Sequence, residues 1–279
     1  MPVLLVLPAV ILLLGLGLFP LLYSLGISFT KWNLQDPARE FIGLKNYIDV
    51  LGDQRMLGAL RNTAIIMVFG VTFETLLGLG LAQTLVGHLP GKRFITPLLI
   101  LPAVVSPIVV GFTWRILYDA TYGPIDHFLS LIRNQPTTIV WLANLQTVYP
   151  AVLLTEIWQW TPFMFLVMLA GLTAVSPEIH EAASVDGASP WQIFTRITLP
   201  VIRPVVIVAV LFRTLDIFKL FDIIVPLTGG SPGTTTETAS LYLYILGFRN
   251  FRLGYSAAAS YIILILFSVL LTLLLRRIN

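Results

Sequence analysis

The chain has 279 residues, of which 57% are hydrophobic and 11% are charged; soluble domains carry about 25% charged residues, so this composition excludes a soluble globular protein and requires contact with lipid. The formal net charge is +3, and no basic cluster exceeds the pairs Lys92-Arg93 and Arg276-Arg277, which favours basic residues flanking membrane helices over nucleic-acid binding. Cysteine is absent, which excludes disulfide bonds and cysteine-ligated metal sites.

The first stretch able to cross a membrane covers residues 3–29, and no charged side chain occurs in the first thirty residues. Its apolar run is longer than the about 7–15 residues of a signal peptide, and no A-x-A cleavage site follows it. We therefore interpret it as a retained transmembrane helix.

Five further stretches approach the about 20 mostly apolar residues that a spanning helix needs. They cover residues 62–86, 94–118, 150–175, 204–227 and 253–275. The fifth of the six spans is the most polar, and its charged residues are expected to face a bundle interior or a water-filled path. The sequence thus predicts an all-α membrane protein with six transmembrane helices and a single domain over residues 1–279.

The connections between these spans alternate between the two sides of the membrane. Residues 87–93, residues 176–200 and both termini then lie together, and the basic residues of the short loops favour the cytoplasmic side for this set. On the opposite side, the segment YGPIDHFLSLI within residues 119–149 predicts a short surface helix.

The segment GHLPGKRF between the second and third spans is similar to a phosphate-binding loop but departs from its pattern. Only three residues separate Gly87 from Gly91, and Arg93 follows Lys92 where the loop needs Ser or Thr. We expect no nucleotide binding by this chain, so any ATP would be hydrolysed by a partner. The histidines lie far apart in the sequence: His88, His127 and His180. We predict neither a catalytic site nor a metal site, and no cofactor in this chain.

One polar stretch, EIHEAASVDGASPWQIFTRITLPVIRP, separates the fourth and fifth predicted spans. Ser176 suits a helix N-terminus, and Gly187 can end that helix because glycine adopts positive φ at little cost. Ser189 can cap a second helix, with Gln192 at the capping-box position. The pattern predicts two short helices separated by a break, near the membrane surface.

The first of these two helices has a small-residue surface. Ala182 and Ala183 would leave a smooth patch beside Glu181, suited to entering a groove on another protein. The alternative is an ordinary amphipathic loop at the membrane surface. These residues alone leave both interpretations open.

A motif in the same stretch resembles the EAA motif of permease subunits of binding-protein-dependent ABC importers. It consists of Glu181-Ala182-Ala183, three residues, Gly187, nine residues, Ile197, one residue and Leu199-Pro200. Four other segments are similar to the carbohydrate-uptake branch, in particular the maltose, trehalose and glycerol-phosphate type: FIGLKNYIDVL, LPAVVSPIVVGFTWRILYD, WTPFMFLVMLAGL and LFDIIVPLTGGSPG.

The resemblance implies that residues 176–200 form a cytoplasmic coupling loop that docks onto an ATPase. The residues implied in coupling are Glu181, Ala182, Ala183, Asp186 and Gly187. It also implies a second homologous permease, two ATP-binding subunits that hold ATP and Mg, and an extracytoplasmic sugar-binding protein. The implied function is import of a sugar across the cell membrane by alternating access.

The fourth span carries four residues at positions i, i+3, i+4 and i+7, which share one helix face: Glu156, Gln159, Trp160 and Phe163. A carboxylate, an amide and two aromatic rings suit a sugar, whose hydroxyls form directed hydrogen bonds and whose C–H faces pack on rings. The resemblance implies that this part of the helix faces the sugar. The alternative is a buried helix contact in which Glu156 pairs with Arg213.

The fifth span carries Arg213, Asp216, Lys219 and Asp222 at intervals of three residues, so neighbours of opposite sign can pair along the helix. The resemblance implies that polar residues near Asp216 line the pathway, and Arg213, Asp216 and Lys219 join the pathway candidates. Glu74 in the second span has no partner visible in the sequence.

Two rival functions stay open. An ion-coupled secondary transporter would use Glu156, Asp216 and Lys219, but such folds usually show internal repeats with matching broken helices, and the sequence shows none. A permease for amino acids or oligopeptides would keep the coupling motif but lack the carbohydrate-type segments. The sequence does not identify the sugar.

Overall fold

The computed structural model describes residues 2–87 and 90–276; His88 and Arg277 lie outside the described residues. The helices are α1 Pro2–Leu13, α2 Phe19–Ser28, α3 Lys45–Leu51, α4 Gln54–Leu85, α5 Lys92–Val104, α6 Pro107–Leu117, α7 Pro124–Arg133, α8 Val148–Thr173, α9 Pro177–Val185, α10 Pro190–Ile193, α11 Leu199–Phe218, α12 Ile224–Leu227, α13 Ala239–Tyr244 and α14 Leu253–Arg276. Turns of π-helix occur at Leu14–Leu18, Phe194–Thr198 and Ile245–Arg249. The predicted helical fold class is confirmed, and α7 is the short helix expected in YGPIDHFLSLI.

Four helical stretches of the described chain are long and apolar enough to cross a membrane, or five if the bent pair of α5 and α6 forms one span. The four are Val6–Ser28, Gln54–Leu85, Val148–Thr173 and Leu253–Leu273. They coincide with the first, second, fourth and sixth predicted spans. The count of six is not confirmed, because α11 carries Arg203, Arg213 and Asp216 and is too polar to qualify by composition.

The third predicted span is broken near its middle. α5 ends at Val104 and α6 begins at Pro107, and the two helices meet at an angle of 96°. Proline disfavours the helical conformation of the preceding residue, and Ser106 accordingly has φ −57° and ψ 134°. The prediction of one continuous helix over residues 94–118 was therefore wrong.

The fifth predicted span also differs from the structure. The helix in this position is α11, Leu199–Phe218, whereas the sequence predicted residues 204–227. Lys219 has φ −89° and ψ 11° and ends the helix, so Lys219 and Asp222 lie beyond it. Of the four charges predicted at helical spacing, only Arg213 and Asp216 are on the helix, because further charged residues make continuation of an apolar helix costly.

The structure divides into two compact units, one formed by Ala59–Thr238 and the other by the described residues on either side of that segment. In the flanking unit, strands β1 Thr30–Asn33 and β2 Asp36–Phe41 form an antiparallel hairpin. Helix α14 packs against α2 and α3 in the same unit. The hairpin is a local addition to a helical fold.

Within the flanking unit, Asp53 joins the first residues of α4 to two tyrosines. Its Oδ1 accepts hydrogen bonds from the backbone N–H groups of Arg55 and Met56, as an N-cap residue does. Its Oδ2 accepts hydrogen bonds from the hydroxyls of Tyr242 and Tyr255, the latter at 2.8 Å. Burial raises the pKa of Asp53, but these hydrogen bonds outweigh burial and hold the pKa below its ordinary value of 3.8.

The core of the Ala59–Thr238 unit lies where α4, α8 and α11 pack together. Its most buried members are Ala82, Leu85, Met164, Phe165, Met168, Leu172, Ile202 and Ala209. Gly78 of α4 permits the close approach of α8, since a Cβ atom there would lie 2.7 Å from Met164 Cβ and 2.8 Å from the Phe165 nitrogen. Small residues allow helix backbones to approach in this way. The same three helices carry the polar residues of the site.

Candidate functional site

The polar stretch after α8 has the predicted break between two helices. α9 follows Ser176, and Gly187 ends it with φ +80°. Ser189 Oγ accepts a hydrogen bond from the Gln192 N–H at 3.3 Å, and Gln192 Oε1 accepts one from the Ser189 N–H at 2.8 Å. This reciprocal pair is a capping box that starts α10. The local conformation of the stretch is confirmed.

The residues predicted to couple this stretch to a partner differ in exposure. Four of them are exposed: Glu181, Ala182, Asp186 and Gly187. Ala183 is buried, because the helical period turns it toward the protein. Of the two alanines expected to form a smooth exposed surface, Ala182 alone is therefore exposed. Val185, three residues further on, has 87% of its area exposed and adds an apolar contact surface.

A cluster of charged residues, buried except for Asp216, joins α4, α8 and α11. Arg213 of α11 is 1% exposed, and its Nε and Nη2 donate to Oε2 and Oε1 of Glu74 at 2.7 and 2.9 Å. The same Nη2 donates to Glu156 Oε1 at 2.9 Å, and Nη1 donates to Asp216 Oδ2 at 2.5 Å. One planar guanidinium thus contacts three carboxylates, a geometry that its fixed fork of donors favours.

The cluster gives Glu156 and Glu74 their partners. Glu156 is paired with Arg213 and is 1% exposed, as the packing alternative expected. Glu74 is fully buried and uses both carboxylate oxygens on the same arginine. Sequence reasoning missed this pair because 139 positions separate Glu74 from Arg213. The available signal was a lone carboxylate in an apolar span, which requires a buried partner.

Gln159 lies in a contact between α8 and the break that separates α5 from α6. It is fully buried, and its Nε2 donates to the carbonyl oxygen of Val105 at 3.0 Å. That carbonyl lies outside regular helical bonding, so the side chain takes the place of a backbone donor. Oε1 of Gln159 and Oε2 of Glu156 are buried and have no hydrogen-bond partner among the described residues.

An open cleft of about 340 Å³ lies beside the charged cluster. Its walls are Trp160, Phe163, Phe212, Arg213, Leu215, Asp216 and Lys219. The Arg213 guanidinium lies 4.6 Å from the centre of the Trp160 ring, within cation–π range. A smaller cavity of about 180 Å³ is lined in part by Glu156, Trp160, Asp216, Lys219 and Asp222.

The cleft brings together five of the seven predicted pathway residues: Trp160, Phe163, Arg213, Asp216 and Lys219. Glu156 reaches only the smaller cavity, and Gln159 lines neither. Sequence reasoning missed Phe212 and Leu215, which precede Arg213 and Asp216 and carried no polar signal. The aromatic rings can pack against the C–H face of a solute, and the charged groups can bond its hydroxyls. No group of His, Asp and Glu in the described residues is suited to holding a metal ion.

Comparison with known proteins places the chain in a family. Residues 74–279 match the family described as "Binding-protein-dependent transport system inner membrane component". The chain belongs to this family. As an inner membrane component of such transport systems, it is a multi-pass membrane protein, in agreement with its apolar helices.

Two relatives and one solved structure illustrate the similarity of this inner membrane component to known transporters. The trehalose/maltose transport system permease protein MalF of Thermococcus litoralis is 34% identical over 96% of this chain and 89% of the relative. The trehalose transport system permease protein SugA of Mycobacterium tuberculosis is 36% identical over 93% of this chain and 82% of the relative. A chain in the crystal structure of a bacterial alginate ABC transporter, in complex with an alginate pentasaccharide-bound periplasmic protein, is 25% identical. The match has a TM-score of 0.83 and covers 97% of this chain and 91% of that one.

Proposed function

We propose that this chain is the transmembrane permease subunit of an ATP-driven sugar importer and forms half of a pathway that works by alternating access. The observation that carries the proposal is the cleft beside Arg213, in a chain similar over 96% of its length to a trehalose/maltose permease. The coupling loop and the cleft are then the two working parts of the subunit.

The chemistry of the cleft suits a neutral sugar. Trp160 and Phe163 offer ring faces, on which the C–H face of a sugar packs. Asp216 and Lys219 are exposed at the cleft. Asp216 can accept hydrogen bonds from sugar hydroxyls, and Lys219 can donate hydrogen bonds to them. Arg213 is already bonded to three carboxylates, so it holds the wall of the cleft in place and is not a free cation for the substrate.

We infer the partners from the family to which the chain belongs and from the surface that α9 exposes. ATP and Mg are bound by two separate ATP-binding subunits, which dock on the exposed face of α9 through Glu181 and Ala182. A second homologous permease completes the pathway, and an extracytoplasmic sugar-binding protein delivers the sugar. This arrangement places residues 176–200 and both termini in the cytoplasm.

Substitutions at the cleft test the sugar site. Asp216→Asn should lower sugar uptake by about 5- to 150-fold, since losing a hydrogen bond to a sugar enclosed in the cleft costs about 1–3 kcal/mol. Trp160→Ala should also lower uptake, because it removes the ring face on which the sugar packs. Trp158→Ala is the matched control, because Trp158 lies on the same helix but is 42% exposed and does not line the cleft. The measurement is uptake of labelled trehalose or maltose by proteoliposomes containing the complete importer. Equal uptake by the Trp160 and Trp158 variants would contradict the site.

The same preparation tests the rival functions. Uptake by the lone chain, driven by an ion gradient, would identify a secondary transporter. ATP-driven uptake of an amino acid or oligopeptide in place of sugar would identify the other class of ABC permease. Micromolar nucleotide binding by the purified lone chain would overturn the assignment of ATP to partner subunits.

A further inference from the structure

α11 connects the coupling loop to the charged cluster. It begins at Leu199, at the end of the coupling loop, and carries Arg213 and Asp216 near its other end. At about 1.5 Å per residue, Thr198 and Arg213 are about 22 Å apart along the helix axis. A displacement of α9 therefore reaches the cleft through α11 only if the two helices are joined firmly.

Thr198 makes an unusual hydrogen bond at the start of this connection. It is 3% exposed and is the last residue of the π-helical turn before α11. Its Oγ1 forms a hydrogen bond with Nε2 of His180, on α9, at 2.9 Å. Thr195 in the same turn instead donates to the carbonyl oxygen of Trp191, within its own helix, at 2.7 Å. Thr198 thus uses its hydroxyl to join two helices.

In the part of the chain that the structure describes, α9 makes few other hydrogen bonds or buried contacts with its surroundings. Ala183 is its buried residue, and the Ser184 hydroxyl donates to the carbonyl oxygen of His180 within the same helix. The backbone N–H groups that follow α9 bond back to α9 itself. Among the described residues, the His180–Thr198 bond is the side-chain hydrogen bond that links α9 to the start of α11.

We propose that His180 is a positioning residue that clamps the coupling helix α9 onto α11 through Thr198. When a docked partner moves α9, the clamp makes α11 follow, and α11 carries Arg213 and the wall of the cleft with it. The π-helical turn at Phe194–Thr198 fits this role, since such turns are frequent at functional sites. The inference rests on the proposed function, because it takes α9 as the docking helix.

The first test measures sugar transported per ATP hydrolysed by the complete importer in proteoliposomes. His180→Ala and Thr198→Val should each lower this ratio by about 3- to 10-fold, the effect of one lost hydrogen bond. The double variant should be no worse than the worse single variant, because both remove the same bond. His180→Gln, which keeps a terminal nitrogen near the position of Nε2, should retain most of the ratio.

The matched control is Thr173→Val, whose hydroxyl bonds within α8 and which lies outside the coupling loop. It should leave the ratio unchanged. The clamp would be overturned if His180→Ala transported as much sugar per ATP as the unaltered importer, or if the two single effects were additive in the double variant. Thr198→Val preserves buried volume, so it decides the question if His180→Ala fails to assemble.

Hydrogen exchange separates failure of the clamp from failure of the proposed function. In the purified complex, the backbone amides of α9 should exchange faster in His180→Ala and Thr198→Val than in Thr173→Val. Unchanged exchange would overturn the clamp. If the unaltered importer moved no sugar with ATP, the proposed function would fall, while the exchange of α9 amides would still decide whether His180 holds the helix.

Discussion

The Arg213 cluster and the coupling loop are both polar regions of an apolar chain, but they are ordered by different means. The loop is exposed, and its shape comes from neighbours in sequence, namely the Ser189–Gln192 capping box and the positive φ of Gly187. Arg213, Glu74 and Glu156 of the cluster are buried, and they meet across 57 and 139 positions of sequence. The loop can therefore change its contacts without unfolding the core, whereas the cluster is fixed to the packing of three helices.

Removing the shared cation should have the largest effect. Arg213→Met leaves Glu74 and Glu156 buried without their partner, which should destabilise the subunit by about 3–5 kcal/mol. Thermal unfolding of the purified complex measures the loss. Arg203→Met is the control, because Arg203 is an exposed arginine of the same helix. Similar unfolding temperatures for the two variants would contradict the structural role of the cluster.

Removing carboxylates together with Arg213 tests which of them the arginine neutralises. If Glu156 were the sole partner of Arg213, Glu156→Ala combined with Arg213→Ala would recover stability. Glu74 takes two of the arginine's hydrogen bonds, so this double variant should stay unstable. Adding Glu74→Gln should recover part of the loss, since it removes the remaining buried charge. Full recovery by the double variant alone would mean that Glu74 contributes little.

Substitutions at two glycines compare helix packing in the core with backbone strain in the loop. Gly78→Val inserts a side chain between α4 and α8 and should cost about 1–3 kcal/mol through overpacking. Gly187→Val strains a positive-φ position, but an added Cβ there would meet no atom within 4 Å, so the strain can be relieved within the exposed loop. We expect the first variant to lower the unfolding temperature and the second to lower sugar transported per ATP. The opposite pattern would contradict the separation of the two regions.

A charge reversal in the loop should leave stability almost unchanged. Glu181→Lys alters an exposed side chain, so the free energy of unfolding should change by less than about 0.5 kcal/mol. Sugar uptake should nevertheless fall, because the proposed docking surface for the ATPase loses a negative charge and gains a positive one. Glu178→Lys is the matched control on the same helix, outside the motif. Co-purification of the ATPase and uptake should both distinguish the two variants.

At Asp53, a lowered pKa makes stability depend on pH. A carboxylate with a lowered folded pKa stabilises the protein above its ordinary pKa of 3.8, and this contribution is lost as the pH falls through the folded value. Asp53→Asn should therefore be less stable than the unaltered chain at pH 7, by no more than about 1 kcal/mol, because solvent screens this partly exposed carboxylate. The difference should begin to shrink near pH 3.8 and vanish once the pH lies below the folded pKa. Asp49→Asn, an exposed neighbour, should show no such difference.

The features that the sequence predicted correctly depend on residues close together in the chain. The break at Gly187 and the capping box at Ser189 follow from local backbone chemistry, and four apolar spans follow from composition. Proline alone did not locate the bend in the third span, because Pro97 and Pro102 lie inside α5 and only Pro107 begins a new helix. The bend also uses Gln159, from a helix more than fifty positions away.

The candidate site also contains some residues whose placement the sequence predicted and others whose placement it did not. Trp160 and Phe163 line the cleft as the helical period predicted, but Glu156 and Gln159 of the same stripe are buried against other helices. Periodicity identifies a shared helix face and does not reveal which neighbours cover part of it. The roles of the coupling and pathway residues stay predictions until the variants above are measured.

The Arg213 cluster also limits how this sequence can change over generations. A single codon change at Glu74, Glu156 or Arg213 leaves a buried charge with fewer partners, so a lineage can lose the cluster only through several changes close together in time. Trp160 and Phe163 carry no charge, so replacing either one leaves no buried charge without a partner. We expect inherited variation to accumulate at the cleft wall, while the three charged positions are kept or lost as a set.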